Sequence, residues 1–457
     1  MLQTKNYWSD YPITYRTEQI EIIMGWVTAG ESGVVVGGSG TGKSNLAGFL
    51  GSRPEAITPF VTDNPDRYLF LHLDINSLPM LTVPFFYRGL VQTLQEAAER
   101  IGPELQQAMQ QLTAGQVNWD DAFQVLTILQ KAYRLVIYQA GQKVIWLLDR
   151  FDAACVKLDA QTLSSLRSLR DQFKGRLCYV VFTRHPLARL RNPSEIDEFH
   201  EIVAANTCRI GPMVERDALW VTQQMADRLN TTFSPTEVER LLTVTGGLPA
   251  FLKSGCLAVA EGAVSGEQTP SEWVERLLAR TEFRRNCQEI WDDLWPEEEM
   301  ALVALVSGAD ERQIDQAVAS YLEQAGLLTR NSPGAKPRLF SPIFEQFIRR
   351  QRGGAPGVID LHPKTRAVLR DGVPLEFELT PSEDRLLSFF LDHPGELCHK
   401  DALVRTVWAE DEVYDGIQDD RLAQLIRRLR QKIEPDANQP SYIQTVRGQG
   451  YRFVQPK

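Results

Sequence analysis

The sequence predicts a multidomain chain in which an α/β domain with a parallel sheet precedes smaller α+β domains. Its 457 residues are too many for one ordinary hydrophobic core. Strand-like apolar runs alternate with helical patterns up to about residue 212, which is typical of a parallel sheet covered by helices. Helices and a small hairpin follow, then a Gly/Pro stretch, short strands, more helices and a final hairpin. We therefore expect five segments, at 1–212, 213–280, 281–351, 352–357 (a linker) and 358–457.

The composition is that of a soluble globular protein, and it limits how nucleic acid could be bound. The chain is 43% hydrophobic and 24% charged, with a formal net charge of −10, so nucleic-acid binding would need a local basic patch. No apolar run approaches the roughly 20 residues of a spanning helix, and no secretory pattern opens the chain. We therefore expect a cytoplasmic protein with no membrane partner. Six scattered cysteines without a C-x-x-C pair indicate buried thiols rather than a zinc site or a disulfide framework.

The first functional element of the α/β domain is a phosphate-binding loop. The stretch GGSGTGKS, residues 37–44, follows the apolar run Val34–Val36 and opens a helical pattern. Such a loop offers backbone N–H groups to phosphate oxygens, while its lysine reaches the β- and γ-phosphates and its serine binds Mg²⁺. The sequence therefore predicts that ATP or GTP is bound, with Mg²⁺, through Gly37, Gly38, Ser39, Gly40, Thr41, Gly42, Lys43, Ser44 and Asn45.

Two acidic residues follow a later apolar strand. In VIWLLDRFD, Asp149 ends the strand and Asp152 comes three residues later. The first carboxylate can hold Mg²⁺ through water beside Ser44, and the second can position or polarise the attacking water. We assign both as candidate catalytic residues, with Ser44 and Asp149 at the metal. The alternatives are a solvated strand-end residue for Asp149 and a purely structural role for Asp152.

Two further motifs are less specific. In CYVVFTRH a strand ends in Thr183 and Arg184, and a basic residue there could sense the γ-phosphate. A surface arginine at a strand end is the alternative for Arg184. The stretch TGGLPAFL, residues 245–252, predicts a sharp bend between two helices, and taken alone it is only a turn.

The order of these motifs resembles that of the signal-transduction ATPases with numerous domains (STAND), which are P-loop switch proteins of the AAA+-related group. Archaeal and origin-recognition-type ATPases are similar, and the resemblance covers roughly residues 11–350. It implies an ASCE-type parallel-sheet core in which the strand bearing Thr183 lies between those bearing the loop and Asp149. It also implies that Pro249 lies against the adenine and that Arg16, in TYRTEQI, contacts the nucleotide. A surface arginine on a first helix is the alternative for Arg16.

One departure from the AAA+ motors concerns hydrolysis. No Asp–Glu pair follows the acidic strand, and no arginine finger can be named. This pattern fits the slow hydrolysis of a switch better than a fast motor. The resemblance therefore implies a slow ATPase with a nucleotide-binding domain at 1–212, a helical lid at 213–280 and a winged helix at 281–351.

A second candidate site is a basic helix near the end of the chain. Residues 421–433 have apolar residues at helical spacing, which predicts one buried stripe: Leu422, Leu425, Ile426, Leu429 and Ile433. The opposite side carries Arg421, Gln424, Arg428 and Gln431, flanked by Arg427. Arginine and glutamine on one exposed face suit a helix in the major groove, where they can bind guanine and adenine. Between 421 and 452 there are seven basic and two acidic residues, although on charge alone a solvated basic helix face is the alternative.

Residues 358–455 resemble the winged-helix DNA-binding domain of OmpR/PhoB-type response regulators. The matching stretches are LTPSEDRLLSFFL, ALVRTVW, IRRLRQKI and IQTVRGQGYRF. The resemblance implies that Arg427, Arg428 and Arg430 lie on the recognition helix. It also implies that Thr445 contacts phosphate from the wing and that Arg447, at the hairpin tip, enters the minor groove.

Two features of the recognition-helix region differ from the family or stay open. The family often has an Arg-x-Val-Asp run where this chain has Asp420-Arg421-Leu422-Ala423, so a phosphate contact from Arg421 would come from a shifted place. The acidic loop AEDEVYDGIQDD precedes the helix, and in the family this loop can face RNA polymerase. The alternative is a solvated loop whose last acids, Asp419 and Asp420, cap the helix.

These patterns predict an ATP-dependent transcription regulator in which a nucleotide switch stands where the family has a receiver domain. The expected cofactors are ATP and Mg²⁺, and the expected partners are double-stranded DNA, RNA polymerase and a second copy of the chain assembled by nucleotide. The alternative is an origin-recognition-like ATPase that loads or remodels DNA and uses the winged helix as an anchor. A non-hydrolysing scaffold is a third interpretation, against which the intact Lys43, Ser44 and Asp149 argue.

Overall fold

The computed structural model describes residues 7–309, 311–330, 332, 335–352, 358–362, 365–370, 373–375, 377–408, 417–434, 440–446 and 448–455. Three predicted features lie outside these residues: most of the linker, the acidic loop up to residue 416, and Arg447.

A five-stranded parallel sheet forms the centre of the N-terminal part, in the order β2-β3-β4-β1-β5. Its strands are β1 (Gly33–Val36), β2 (Tyr68–Asp74), β3 (Lys143–Asp149), β4 (Leu177–Thr183) and β5 (Thr207–Arg209). Because β4 lies between β1 and β3, the sheet order implied by the STAND resemblance is confirmed. The edge strand β5 was not predicted, because its three residues are too few to show an apolar run or an alternation typical of a strand.

Helices cover both faces of this sheet. They are α1 (Thr17–Ala29), α2 (Lys43–Ser52), α3 (Val83–Ile101), α4 (Pro103–Thr113), α5 (Ala122–Arg134), α6 (Phe151–Lys157), α7 (Ala160–Gln172), α8 (Leu187–Leu190) and α9 (Asp197–Ala204). Alternate residues of β3 enter different apolar clusters, with Ile145 and Leu147 on one face and Trp146 and Leu148 on the other. Burial on both faces explains why the strands read as continuous apolar runs. Helix α5 continues into a π-helical turn at Leu135–Gln139.

The next part is mainly helical and packs on one face of the sheet. It comprises α10 (Glu215–Arg228), α11 (Pro235–Thr245), α12 (Pro249–Ala260), α13 (Pro270–Leu278), α14 (Thr281–Asp292), α15 (Pro296–Val306), α16 (Gln316–Gln324) and α17 (Pro342–Arg352), with an antiparallel pair of β6 (Leu328–Thr329) and β7 (Arg338–Leu339). One apolar cluster includes Ile145 of the sheet, Phe251 of α12 and Phe344 of α17. The helices therefore share a core with the sheet, and the boundaries predicted at 212 and 280 stay predictions.

The C-terminal part has a hydrophobic cluster of its own. Its elements are β8 (Ile359–Leu361), β9 (Val368–Arg370), β10 (Val373–Pro374), α18 (Pro381–Asp392), β11 (Leu397–His399), α19 (Lys400–Val407), α20 (Ile417–Ile433), β12 (Ile443–Val446) and β13 (Gly450–Phe453). The two small sheets have the orders β10-β9-β8 and β11-β13-β12. The backbone of α20 is helical from Ile417, so Asp419 and Asp420 belong to its first turn. Their side chains lie outside the described part of the structure, and the predicted capping of the helix stays a prediction.

Two observations concern the whole composition. All six cysteines are buried and unpaired, as the prediction of buried thiols requires. None of the helices within the described ranges combines the length and apolar composition that crossing a bilayer requires.

Candidate nucleotide site and candidate nucleic-acid interface

The phosphate loop connects β1 to α2, and α2 begins at Lys43. Gly40 and Gly42 have positive φ angles of 76° and 90°, which glycine adopts without strain. A Cβ at Gly40 would also lie 2.7 Å from the Cβ of Ala250 at the start of α12. The glycine spacing therefore serves both the loop conformation and its close contact with α12.

The Lys43 side chain folds back onto its own loop. Its Nζ donates to the carbonyl oxygens of Gly37 and Gly38, the latter at 2.9 Å. Burial lowers the pKa of Lys43 to about 8, while the carboxylates of Asp152 and Asp293 oppose the shift. The ammonium group is therefore close to the loop that is expected to receive phosphate.

Asp149 ends β3 deep inside the molecule, with 1% of its surface exposed. One carboxylate oxygen accepts from the Arg150 N–H at 2.9 Å, while the other lies 3.9 Å from Nε2 of His72. Burial raises the pKa of Asp149, but interactions with His72, Ser44 and the Arg150 N–H outweigh it, and the pKa is lowered. The solvated alternative for Asp149 is therefore wrong.

Three buried polar side-chain atoms on the neighbouring strands β2, β3 and β4 make no hydrogen bond within the described part of the chain. They are Oδ2 of Asp149, Nε2 of His72 and Oγ1 of Thr183. Buried polar groups are normally satisfied, so this cluster has room for further polar partners. A hydrated Mg²⁺ beside Ser44 and Asp149 fits these atoms, because hexacoordinate Mg²⁺ keeps several waters that could bond to them. His72 was missed by the sequence reasoning, since it lies mid-strand without a motif.

Asp152 and Arg184 meet at the carboxyl end of the sheet. Oδ1 of Asp152 accepts from the Arg184 backbone N–H at 2.8 Å, so this carboxylate also holds β4 to α6. The Arg184 side chain is 56% exposed and lies 3.5 Å from Oδ1 of Asp293. Both residues are therefore beside the loop, and their catalytic roles stay predictions.

Arg16 lies immediately before α1 in a left-handed conformation and is 2% exposed. Its guanidinium donates to the carbonyls of Thr41 at 2.9 Å, Gly211 at 3.0 Å and Pro212 at 3.2 Å. The alternative of a surface arginine on the first helix is therefore wrong. Because Thr41 belongs to the phosphate loop, Arg16 supports the loop from behind.

The predicted lid turn also touches the loop. Gly246 and Gly247 have positive φ angles of 60° and 73°, and Pro249 begins α12. A Cβ at Gly42 would lie 3.4 Å from Cγ of Pro249, and the Ala250 N–H donates to the Gly40 carbonyl at 3.2 Å. Pro249 is thus placed beside the loop, while its contact with adenine stays a prediction.

An open cleft lies between the loop, the end of β4 and the helices α14 to α16. Asp293, which lines this cleft, and Glu289 of α14 were not predicted, and the carboxylates of both contact Ser39 of the phosphate loop. No sequence signal identifies them, because they reach the loop only when α14 packs on the sheet.

The candidate nucleic-acid interface is the exposed face of α20. Its predicted apolar stripe is buried, as expected: Leu422, Leu425, Ile426, Leu429 and Ile433. Arg421, Gln424, Arg427 and Arg428 are exposed, and the Arg421 guanidinium lies 5.1 Å from the centre of the Trp408 ring. The predicted face is therefore present.

Arg430 differs from the other arginines of this helix. Its guanidinium donates twice to the Ile443 carbonyl, at 2.6 and 3.1 Å, and to Oγ1 of Thr445 at 2.8 Å. It lies 5.8 Å from the Tyr451 ring, and burial lowers its pKa. Arg430 thus ties α20 to the hairpin, while the Thr445 hydroxyl, which accepts from Arg430, keeps its own O–H for donation. The DNA contacts predicted for both residues stay predictions.

Two acidic residues hold α20 in place. Glu434, directly after α20, accepts from the backbone N–H groups of Ser441, Tyr442 and Ile443 at 2.7–3.1 Å. Glu383 of α18 accepts from Lys432 at 2.8 Å. Charge-assisted hydrogen bonds therefore fix the C-terminal end of α20 to the hairpin and to α18.

Comparison with known proteins adds the family of the C-terminal part. Residues 375–453 match the family described as "Transcriptional regulatory protein, C terminal". The phosphate regulon transcriptional regulatory protein PhoB of Shigella flexneri is 34% identical over 116 residues, which are 25% of this chain and 46% of PhoB. The chain thus spans less than half of the length of PhoB, and the same holds for four further curated regulators that it resembles.

Two solved structures are similar to different parts of the chain. The RstA DNA-binding domain of Klebsiella pneumoniae, crystallised with the RstA box, is 31% identical and covers 22% of this chain and 94% of its own, with a TM-score of 0.20. A Walker-type ATPase of Pyrococcus abyssi is 13% identical and covers 73% of this chain and 95% of its own, with a TM-score of 0.46. The sheet order, the phosphate loop and Asp149 describe a P-loop ATPase core, and residues 375–453 belong to the OmpR/PhoB-type family of transcriptional-regulator C-terminal domains.

Proposed function

We propose that this chain is an ATP-responsive transcription regulator that reads double-stranded DNA with α20. The observation that carries the proposal is the exposed basic face of α20, on a domain of the transcriptional-regulator family, in a chain with a complete phosphate loop. Nucleotide in the cleft then selects between two arrangements of the helices that border it, as in a STAND-type switch.

The residues of the cleft have separate roles in nucleotide binding and hydrolysis. Lys43 exchanges its two loop carbonyls for phosphate oxygens, and Ser44 and Asp149 hold the metal. Bound Mg²⁺ neutralises phosphate charge. Asp152 and Arg184 face the γ-phosphate end, where they position water and phosphate for slow hydrolysis.

The exposed residues of α20 have separate roles in DNA binding. Gln424, Arg427 and Arg428 point to base edges in the major groove, where bidentate contacts discriminate sequences. Arg421 and the wing contact phosphates, which adds affinity without sequence preference. Arg430 holds the wing relative to the helix.

The proposed role places the chain in the cytoplasm, beside the chromosome. A second copy of the chain is a proposed partner, because nucleotide-driven pairing would raise the effective concentration of a second recognition helix. RNA polymerase is the proposed target of the acidic loop before α20.

The test is selection of genomic fragments by the full-length chain with ATP and with ADP, followed by titration of the selected DNA. We expect ATP and ADP to change DNA affinity by roughly 5- to 150-fold relative to each other. Arg428→Ala should relax base preference, whereas Arg385→Ala, an exposed arginine on α18, should leave it unchanged. Equal affinity for all sequences, with turnover stimulated by arbitrary DNA, would instead support the DNA-loading ATPase.

A further inference from the structure

The phosphate loop already holds an anion that belongs to the chain itself. The Ser39 N–H donates to Oδ2 of Asp293 at 2.9 Å, and the Ser39 hydroxyl donates to Glu289 at 2.8 Å. A Cβ at Gly38 would lie 3.9 Å from the same Asp293 oxygen. Phosphate loops bind anions through such backbone N–H groups. The Asp293 carboxylate therefore accepts from an N–H group that would otherwise be available to phosphate.

The charges around Asp293 resemble those that phosphate would meet. Nη1 of Arg184 lies 3.5 Å and Nε2 of His185 lies 3.9 Å from its Oδ1. The nearby Lys43 ammonium group also interacts electrostatically with this carboxylate. A nucleotide phosphate on the loop would therefore lie close to a like charge and compete for the same cationic groups.

The segment that carries Asp293 is held against the α/β domain. Glu298, near the start of α15, is 1% exposed and pairs with Nη2 of Arg189 on α8 at 2.5 Å. The Arg189 guanidinium lies between the rings of Trp295, at 4.5 Å, and Tyr321, at 4.2 Å. This arginine clamp, formed by Arg189 with Trp295, Glu298 and Tyr321, holds the segment that directly follows Asp293 against α8.

We propose that Asp293, assisted by Glu289, is an autoinhibitory carboxylate that occupies the phosphate loop and is displaced by the phosphates of a bound nucleotide. The proposal rests on the proposed function, because it names how the nucleotide moves the helices of that site. Displacement acts on α14, which also lies beside β10 of the C-terminal domain. The helix thus lies beside both the phosphate loop and the C-terminal domain, where its displacement by a nucleotide can reach the domain that reads DNA.

The first test measures the affinity of a fluorescent ADP analogue for the full-length chain and two variants. Asp293→Asn removes the charge on the loop, and we expect binding about tenfold tighter, within the usual range of couplings between sites. Asp292→Asn is the matched control, because this neighbouring carboxylate is exposed and bonds to Gln288 instead. Unchanged or weaker binding by Asp293→Asn, with control and wild type alike, would overturn the proposal.

A second measurement does not depend on the variant. Hydrogen exchange of the backbone amides in 287–300 should rise when ADP is added to the wild-type chain, because α14 and the clamp leave the loop. Exchange in this segment that is unchanged or slower at saturating ADP would overturn the displacement, while nucleotide binding itself, and with it the proposed function, would stand. If neither wild type nor Asp293→Asn binds the analogue, both the carboxylate proposal and the proposed function fail.

Discussion

Replacing either of two arginines of α20, Arg428 and Arg430, by alanine is predicted to affect a different property of the domain. Arg428 is exposed on α20, whereas Arg430 makes three hydrogen bonds to Ile443 and Thr445 and packs near the Tyr451 ring. Arg430→Ala should therefore loosen the wing, and Arg428→Ala should weaken sequence-specific DNA binding without doing so.

The magnitudes follow from these contacts. A hydrogen bond to a charged group contributes about 1.5–3 kcal/mol, but the three bonds of Arg430 share one half-buried guanidinium and two acceptors. We expect Arg430→Ala to lower the opening free energy of β12 and β13 by about 2–3 kcal/mol. Arg428→Ala should change it by less than about 0.5 kcal/mol, as for other surface substitutions, while costing roughly 1–3 kcal/mol of base discrimination.

The assay is native-state hydrogen exchange of the amides in 441–446 and 448–455, with DNA titrations on the same preparations. Arg428→Ala serves as the control for Arg430→Ala, since both remove one positive charge from the same helix. If exchange in the two variants is equal, the positioning role of Arg430 is refuted. If, in addition, Arg430→Ala binds DNA less well than the wild-type chain, Arg430 contacts DNA directly.

Three further predictions concern nucleotide, salt and pH. Lys43→Ala should abolish ATP binding, whereas Asp152→Asn should bind ATP and lose hydrolysis; equal turnover of wild type and Asp152→Asn would remove this carboxylate from the mechanism. Arg421→Ala should weaken binding to all DNA sequences alike and make the slope of log affinity against log salt smaller by about one; an unchanged slope would speak against a phosphate contact. Burial raises the pKa of Glu383, but Lys432 and the helix cap outweigh it, and the pKa is lowered. The stability this carboxylate supplies is therefore present above roughly pH 4.3, its unfolded value, and is lost as pH falls through the lower folded value. Glu383→Gln should destabilise the C-terminal domain against urea at pH 7, with a difference from wild type that shrinks below pH 4; a pH-independent difference would contradict this reasoning.

The C-terminal domain could be predicted in detail because its determinants are local. The apolar stripe of α20 follows from helical spacing, and it places Arg428 outward whatever surrounds the helix. The start of α18 likewise follows from Thr380 and Glu383, which form the two hydrogen bonds of a capping box. The start of α20 was misjudged, since the acids at 419 and 420 suit a helix cap and a first turn equally.

The nucleotide site was predictable where one short motif supplies the chemistry. The glycine spacing of the loop and the acid at the end of β3 identify Lys43, Ser44 and Asp149, because backbone geometry and charge at a strand end leave few other roles. The order of the strands in the sheet could be predicted only from the resemblance to a family. Which parallel strands become neighbours depends on the packing of helices that are far apart in sequence.

Only the tertiary structure decided which groups meet in the cleft. Arg16 could have been a surface residue, and its burial behind the loop depends on carbonyls about 195 positions away. Asp293 reads as an ordinary residue after a helix until α14 docks and brings its carboxylate to the Ser39 N–H. Arg430 looks like its neighbours in sequence, yet folding of the hairpin turns it into a support of the wing. Sequence by itself determined the chemistry that each segment carries, because propensity and spacing act over a few residues. The partners of each charge were decided by the fold, because a hydrogen bond forms wherever distant segments place donor and acceptor within about 3 Å.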